Sequence, residues 1–194
     1  FYKELLHIIG LEEAKEDGKN IIRRKKESRF AASLIEATIE ALQTEDVLHR
    51  LPDQSIYGST KDKRIFNIAL ELCITWINRI LFLKLLEGQL ITYHQGNKEY
   101  RFLNTETIND FDELFKLFHK VLAINLSERS EAIKTKYRKV PYLNSSLFEI
   151  SELEDQTIKI NSLDNAGKLE LIGTTILKEI KKKSASLPSL DYLF

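Results

Sequence analysis

The chain has 194 residues, 43% of them hydrophobic and 30% charged, enough for one good-sized domain and far from the composition of a disordered segment. Lys plus Arg and Asp plus Glu each total 29 and cancel, so any contact with a polyanion has to come from local clustering. The lone cysteine, Cys73, excludes an internal disulfide and a multi-cysteine metal site, and its place in the run Leu72-Cys73-Ile74 marks it as a small buried side chain.

Phe1 to Leu11 predicts a short helix, with Tyr2, Leu5, Leu6, Ile8 and Ile9 apolar and Gly10 as its stop. Glu12 to Arg29 is highly charged, carries Gly18 and Asn20 as turn formers, and is expected to be an exposed loop or a poorly packed helix. Ser33-Leu34-Ile35-Glu36 fits a capping box, and Leu34, Ile35, Ile39 and Leu42 follow on one helical face. Asp46 to Leu51 adds a turn before Pro52.

Arg64 to Glu87 is the strongest element. Its polar residues Asn67, Glu71, Thr75 and Asn78 form a narrow stripe in an otherwise apolar helix, which predicts a central position with Trp76 as the largest anchor and Gly88 as the C-cap. Leu90 to Leu103 changes period around Gln95-Gly96-Asn97 and predicts a β-hairpin. Phe111, Leu114, Phe115, Phe118, Val121 and Leu122 return to helical spacing behind a cap at Asn109 or Asp110, and Ser127 to Tyr137 is a shorter polar helix. Beyond Pro141 the chain is loop-like, with a short strand expected at Ile158-Lys159-Ile160 and the start of a helix at Ser189 to Phe194. The expected architecture is mainly α: a multi-helical bundle around one long buried helix, with a small β-hairpin. Residues 1–139 form the bundle with its hairpin near 90–103, and residues 140–194 form an irregular extension. The chain opens at Phe1 and contains no Met, although ordinary usage gives several, so a piece of a larger polypeptide is expected.

Chemistry is sparse. The triplets Glu13-Ala14-Lys15 and Glu179-Ile180-Lys181 match the acid-x-Lys end of a magnesium nuclease site, but such triplets arise by chance among so many charges. No G-x-G turn and no adjacent prolines are present to hold a methyl donor or a target base. His7, His49, His94 and His119 lack the i, i+4 spacing of a helical metal pair and are expected at the surface or at helix ends. Hence no catalytic, cofactor-binding or metal-binding residue is expected. The apolar stretch Ile65 to Leu86 is interrupted by Asn67, Glu71, Asn78, Arg79 and Lys84, and Phe1 to Ile9 carries Lys3 and Glu4, so neither a membrane span nor a signal peptide is expected and the cytoplasm is the expected location. Basic clusters remain: Arg23, Arg24, Lys25 and Lys26 with Arg29; Lys134, Lys136, Arg138 and Lys139; and Lys178 with Lys181, Lys182 and Lys183. The first two are candidates for weak, non-specific contact with the DNA backbone.

Three stretches together resemble one family. They are Lys3-Glu4-Leu5-Leu6-His7-Ile8-Ile9-Gly10-Leu11-Glu12-Glu13 with the later Ser33-Leu34-Ile35-Glu36, then Asn78-Arg79-Ile80-Leu81-Phe82-Leu83-Lys84-Leu85-Leu86-Glu87, and Val140-Pro141-Tyr142-Leu143-Asn144-Ser145-Ser146-Leu147-Phe148-Glu149. They are similar to the helical connector of type IIG restriction–modification enzymes, a region that lies before the methyltransferase domain. That family often has two Gly where this chain has Ser145-Ser146. The resemblance runs from about Lys3 to Phe194. It implies a parent with flanking nuclease and methyltransferase domains, using S-adenosylmethionine and Mg, neither bound by this segment. The rival readings are a free-standing helical DNA-binding regulator, for which a helix–turn–helix is missing, a protein–protein adaptor, and a small independent enzyme.

Overall fold

The computed structural model describes residues 1–194. The architecture is mainly α, with eight α-helices and two two-stranded antiparallel sheets. Helix α1, Tyr2–Ile9, ends at Gly10, whose φ of 98° is the left-handed geometry expected of a glycine cap.

Directly after α1 the structure departs from expectation. Leu11–Glu16 (β1) and Lys19–Arg24 (β2) form a β-hairpin inside the stretch expected to be a loop or loose helix. Its two-residue turn is Asp17-Gly18, both at positive φ, the pairing that matches the twist of the flanking strands. The strands are mostly charged, so they lack the alternation that marks a strand in sequence; cross-strand ion pairs, Glu12 opposite Arg23 among them, stand in for an apolar face.

Helix α2, Leu34–Thr44, starts at Ser33 as expected, but the capping box does not form: Ser33 makes no side-chain cap bond and Glu36 turns away to Arg24. Short 3₁₀ turns at Val47–Arg50 and Gln54–Tyr57 lead into α3, Lys61–Tyr93, capped by Thr60. At 33 residues α3 is roughly 50 Å long. Ile65, Ile68, Leu72, Cys73, Trp76, Ile80 and Leu83 are buried along it. By length and composition α3 could cross a membrane, yet half of its most apolar window is buried inside this fold, and it packs as the central helix.

The hairpin expected near 90–103 is absent. The helix runs through Gly88 to Tyr93, because an interior glycine costs only about 1 kcal/mol and Leu86 before it and Leu90 after it both pack on the core. The turn itself forms where expected: Gln95 and Gly96 both take positive φ and reverse the chain. The reversed segment makes a 3₁₀ turn, Lys98–Tyr100, and then the N–H groups of Phe102 and Leu103 both donate to the Glu87 carboxylate at 2.6 Å.

Helix α4, Phe111–Lys116, is capped by Asp110 and continues as a π-helical turn, Leu117–Leu122. Helix α5, Glu131–Lys136, precedes the loop to a 3₁₀ turn at Ser146–Phe148. Ser145 has φ −143° and its hydroxyl accepts the Leu147 N–H, so no left-handed backbone demands glycine there. Helix α6, Glu152–Gln156, carries the capping box that α2 lacks, between Ser151 and Glu154. No strand forms at Ile158–Ile160; a 3₁₀ turn, Ile160–Ser162, stands there instead. Strand β3, Lys168–Glu170, pairs with β4, Ser186–Pro188, around α7, Lys178–Lys183, and the chain closes with α8, Ser189–Leu193.

The C-terminal third is locked onto α3 by a buried polar cluster. Arg79 is 1% exposed and Glu154 is fully buried. The guanidinium donates to Glu154 Oε1 at 2.6 Å and Oε2 at 2.8 Å, and to the carbonyls of Leu147 and Glu149. The Trp76 indole N–H donates to Glu154 Oε1 at 2.8 Å. Burial pushes the Glu154 carboxyl upward, but these donors and the Ser151 N–H outweigh it and hold its pKa at about 2.

A candidate nucleic-acid interface

The two basic clusters meet different fates. In the first, Arg23 donates to Glu12 and Glu16, each at 3.0 Å. Arg24 grips Glu36 with both arms of its fork, at 2.7 and 2.5 Å. Lys25 is half-buried over the Phe30 ring and its ammonium lies 2.7 Å from His7 Nδ1. His7 Nε2 lies 2.8 Å from the Glu170 carbonyl, which can only accept, so the neutral ring with its proton on Nε2 satisfies both contacts. Burial lowers the pKa of Lys25, with Glu12 opposing, and burial also lowers that of His7. Only Lys26 and Arg29 stand exposed without an ion pair, although the Arg29 side chain donates to the Lys25 carbonyl. The hairpin therefore neutralises most of the charge that its sequence advertises.

The second cluster forms one wall of a groove of about 750 Å³. Lys134, Lys136, Arg138 and Lys139 line it along α5 and the turn beyond, and Arg101 faces them from the segment after α3. Lys134 pairs with Glu131 at 2.8 Å, Lys136 with Glu113 at 2.5 Å, and Lys139 with Glu99 at 3.4 Å. Arg101 and Arg138 are exposed and pair with no carboxylate. Arg129, just before α5, is only 3% exposed. It donates to the carbonyls of Ile124 and Val140 but meets no carboxylate, and its Nη2 has no partner. Among the groove-lining side chains, Arg101, Lys134, Lys136, Arg138 and Lys139 outnumber the one carboxylate, Glu99, so the lining is positive in balance. Glu113 stays ionised: burial raises its pKa, but hydrogen bonds from Lys136, Lys116 and Tyr137 bring it down to about 2.

The whole chain, residues 1–194, matches the family model described as a domain of unknown function (DUF7814). The chain belongs to that family. No curated protein and no solved structure matches it.

Several residues of this DUF7814 domain that matter to the groove escape a reading by local clustering. Arg101 is an isolated cation in sequence, and only the fold brings it to the second cluster. An aromatic group, Tyr93, His94 and Tyr100, adjoins the groove because the segment expected to be a hairpin turns back beneath the end of α3. His7 and His119 lie in the last turns of their helices, within the expectation of surface or helix-end positions, and both are buried, the latter with its Nδ1 at 2.8 Å from the Phe148 carbonyl and its Nε2 unpartnered. The third cluster sits on α7, where Lys182 pairs with Glu179 and Lys181 donates to the Ile172 carbonyl. Cys73 is buried, its thiol pushed up to about 12 by burial, against a contact from Thr38, which leaves it protonated and inert.

Proposed function

We propose that this chain is a non-catalytic helical connector of a DNA restriction–modification protein and that it meets DNA through backbone phosphates in the groove beside α5. The observation that carries the DNA contact is the pair of guanidiniums without a carboxylate partner, Arg101 and Arg138, that line the groove. Guanidinium forks suit phosphate oxygens, and contacts of this kind position a duplex without reading its sequence. The parent reading rests on the three stretches that resemble the type IIG connector. In such a parent, S-adenosylmethionine and Mg are held by flanking methyltransferase and nuclease domains, and the protein works in the cytoplasm. Arg23 and Arg24 are poor DNA contacts, because each already spends its donors on carboxylates.

Titration of labelled duplexes at two salt concentrations tests this. The expected affinity is in the non-specific range, about 10⁻⁴–10⁻⁶ M, and indifferent to sequence. Combined Arg101→Ala and Arg138→Ala replacement weakens binding uniformly across sequences and flattens the salt dependence, whereas Arg23→Ala leaves both as they were. Tight binding to one sequence would favour the regulator reading, and no binding at low salt would leave a spacer without DNA contact.

A further inference from the structure

The basic groove continues into an aromatic ladder that phosphate binding alone does not use. Helix α3 ends at Tyr93, and the positive-φ pair Gln95-Gly96 folds the following segment back under the helix end. This places Tyr100 against His94 with ring centroids 3.8 Å apart and planes 4° from parallel. The Tyr93 and His94 ring centroids are 5.0 Å apart, with the planes near perpendicular at 87°. On the groove side, the Lys139 ammonium lies 5.0 Å from the Tyr100 ring centroid, while Lys139 and its partner Glu99 line the groove itself. Aromatic rings and cationic wall are thus one continuous surface. Tyr93, at its outer end, is 82% exposed and is the last residue of α3.

We propose that this surface takes an unpaired stretch of DNA, a base stacking on Tyr93 while the adjoining phosphates lie between Arg101, Arg138 and Lys139. The proposal rests on the reading of the groove as a phosphate site and adds the form of DNA that fits it. In a duplex the base faces are stacked on one another and closed to a side chain, whereas a single strand offers every base face to a ring beside a positively charged track. His94 and Tyr100 hold each other and leave Tyr93 as the open ring. The cation over Tyr100 ties the aromatic end to the phosphate end, so one strand crossing from Tyr93 to Arg138 meets a stacking contact and then cations.

The test compares a 12-nucleotide oligothymidylate with a 12-base-pair duplex, both labelled, titrated with the full chain at low salt. The single strand is expected to bind at least as tightly as the duplex despite carrying half the phosphates. Tyr93→Ala should lower the ratio of single-strand to duplex affinity about tenfold, the scale of one lost base–ring stack, and Tyr93→Phe should retain it. A 2-aminopurine placed in the oligonucleotide should lose fluorescence on binding the wild-type chain and keep more of it with Tyr93→Ala. Duplex binding with no single-strand preference and no response to Tyr93→Ala overturns the stacking proposal and leaves the phosphate groove standing. Absence of binding to either form overturns both.

Discussion

Glu154 accepts hydrogen bonds from Trp76, Arg79 and its own N-cap Ser151, so one carboxylate holds the central helix and the C-terminal third together. With a folded pKa of about 2 against about 4.3 in an unfolded chain, the unfolded state binds more protons between these values. Stability from this residue is therefore complete above the unfolded pKa and is lost as pH falls toward 2. Glu154→Gln should cost about 3–5 kcal/mol at pH 7, as breaking a buried pair does by stranding Arg79. Urea denaturation at pH 7 and pH 3 should show the gap to wild type narrowing at the lower pH. The histidines act in the opposite half of the titration. Burial depresses the pKa of both His7 and His119, with backbone carbonyl contacts opposing it, so stability is full above about 6.5 and declines as the pH falls below it and these rings are driven to charge. A His7→Gln, His119→Gln double variant should show a flatter stability profile between pH 7 and 5.

At the scale of elements, one spacing behaves in two ways. A capping box is expected at Ser33 with Glu36 and does not form, whereas Ser151 with Glu154, in the stretch expected to be loop-like, forms one. Glu36 is captured by Arg24 on the neighbouring hairpin, and the Ser33 hydroxyl is left buried without a partner. Ser33→Ala should then be near neutral or slightly stabilising, since it removes an unsatisfied buried group, whereas Ser151→Ala should cost about 0.5–2 kcal/mol; paired urea melts distinguish them. Sequence shows that a helix starts at Ser33, because the serine and the apolar face behind it are local facts, but a tertiary competitor for the glutamate is not local; α6 is unexpected because its five residues are too short to display an apolar face. The same limit explains the two hairpin outcomes. At 11–24 the strands carry charge instead of alternation, and their stability comes from pairs across the turn that a single strand does not display. At 90–103 the alternation is present and the turn forms, yet burial of Leu86 and Leu90 carries the helix past Gly88 and consumes the residues of the first strand. The candidate groove is half visible in sequence on the same ground: Lys134 to Lys139 cluster there, while Arg101 reaches it through the fold. Charge density alone also nominates Arg23 and Arg24, whose partners Glu12, Glu16 and Glu36 lie on neighbouring elements.

Across the whole molecule, a single cluster of 41 buried apolar residues runs from Leu6 to Leu193, so the first and last elements share one core. Polar ties cross the same distance: Glu4 accepts from Thr175 and from the Ile176 N–H, His7 meets the Glu170 carbonyl, and the Ser189 hydroxyl donates to the Ala32 carbonyl. A core of this kind should unfold as a unit. The fluorescence of Trp76, fully buried at the centre of α3, and the far-ultraviolet circular dichroism of the helices should trace one urea transition with one midpoint. Trp76 emission should be blue-shifted in the native chain, and Trp76→Ala should lower stability by about 3–5 kcal/mol. Removing residues 140–194 is the sharper test of unity. The truncated chain would keep α1 to α5, but Arg79 would lose Glu154 and its two carbonyl acceptors, and Trp76 would lose the acceptor of its indole N–H. Phe148, which packs against Phe82 and Phe118, would leave an open flank on α3. A stranded buried guanidinium alone is worth about 3–5 kcal/mol, a large part of the 5–15 kcal/mol by which domains are typically stable. The expected outcome is a 1–139 fragment with red-shifted Trp76 emission and a shallow, non-cooperative urea profile. A cooperative transition and native-like emission in that fragment would show instead that the first 139 residues fold independently and that the C-terminal third is an appendage.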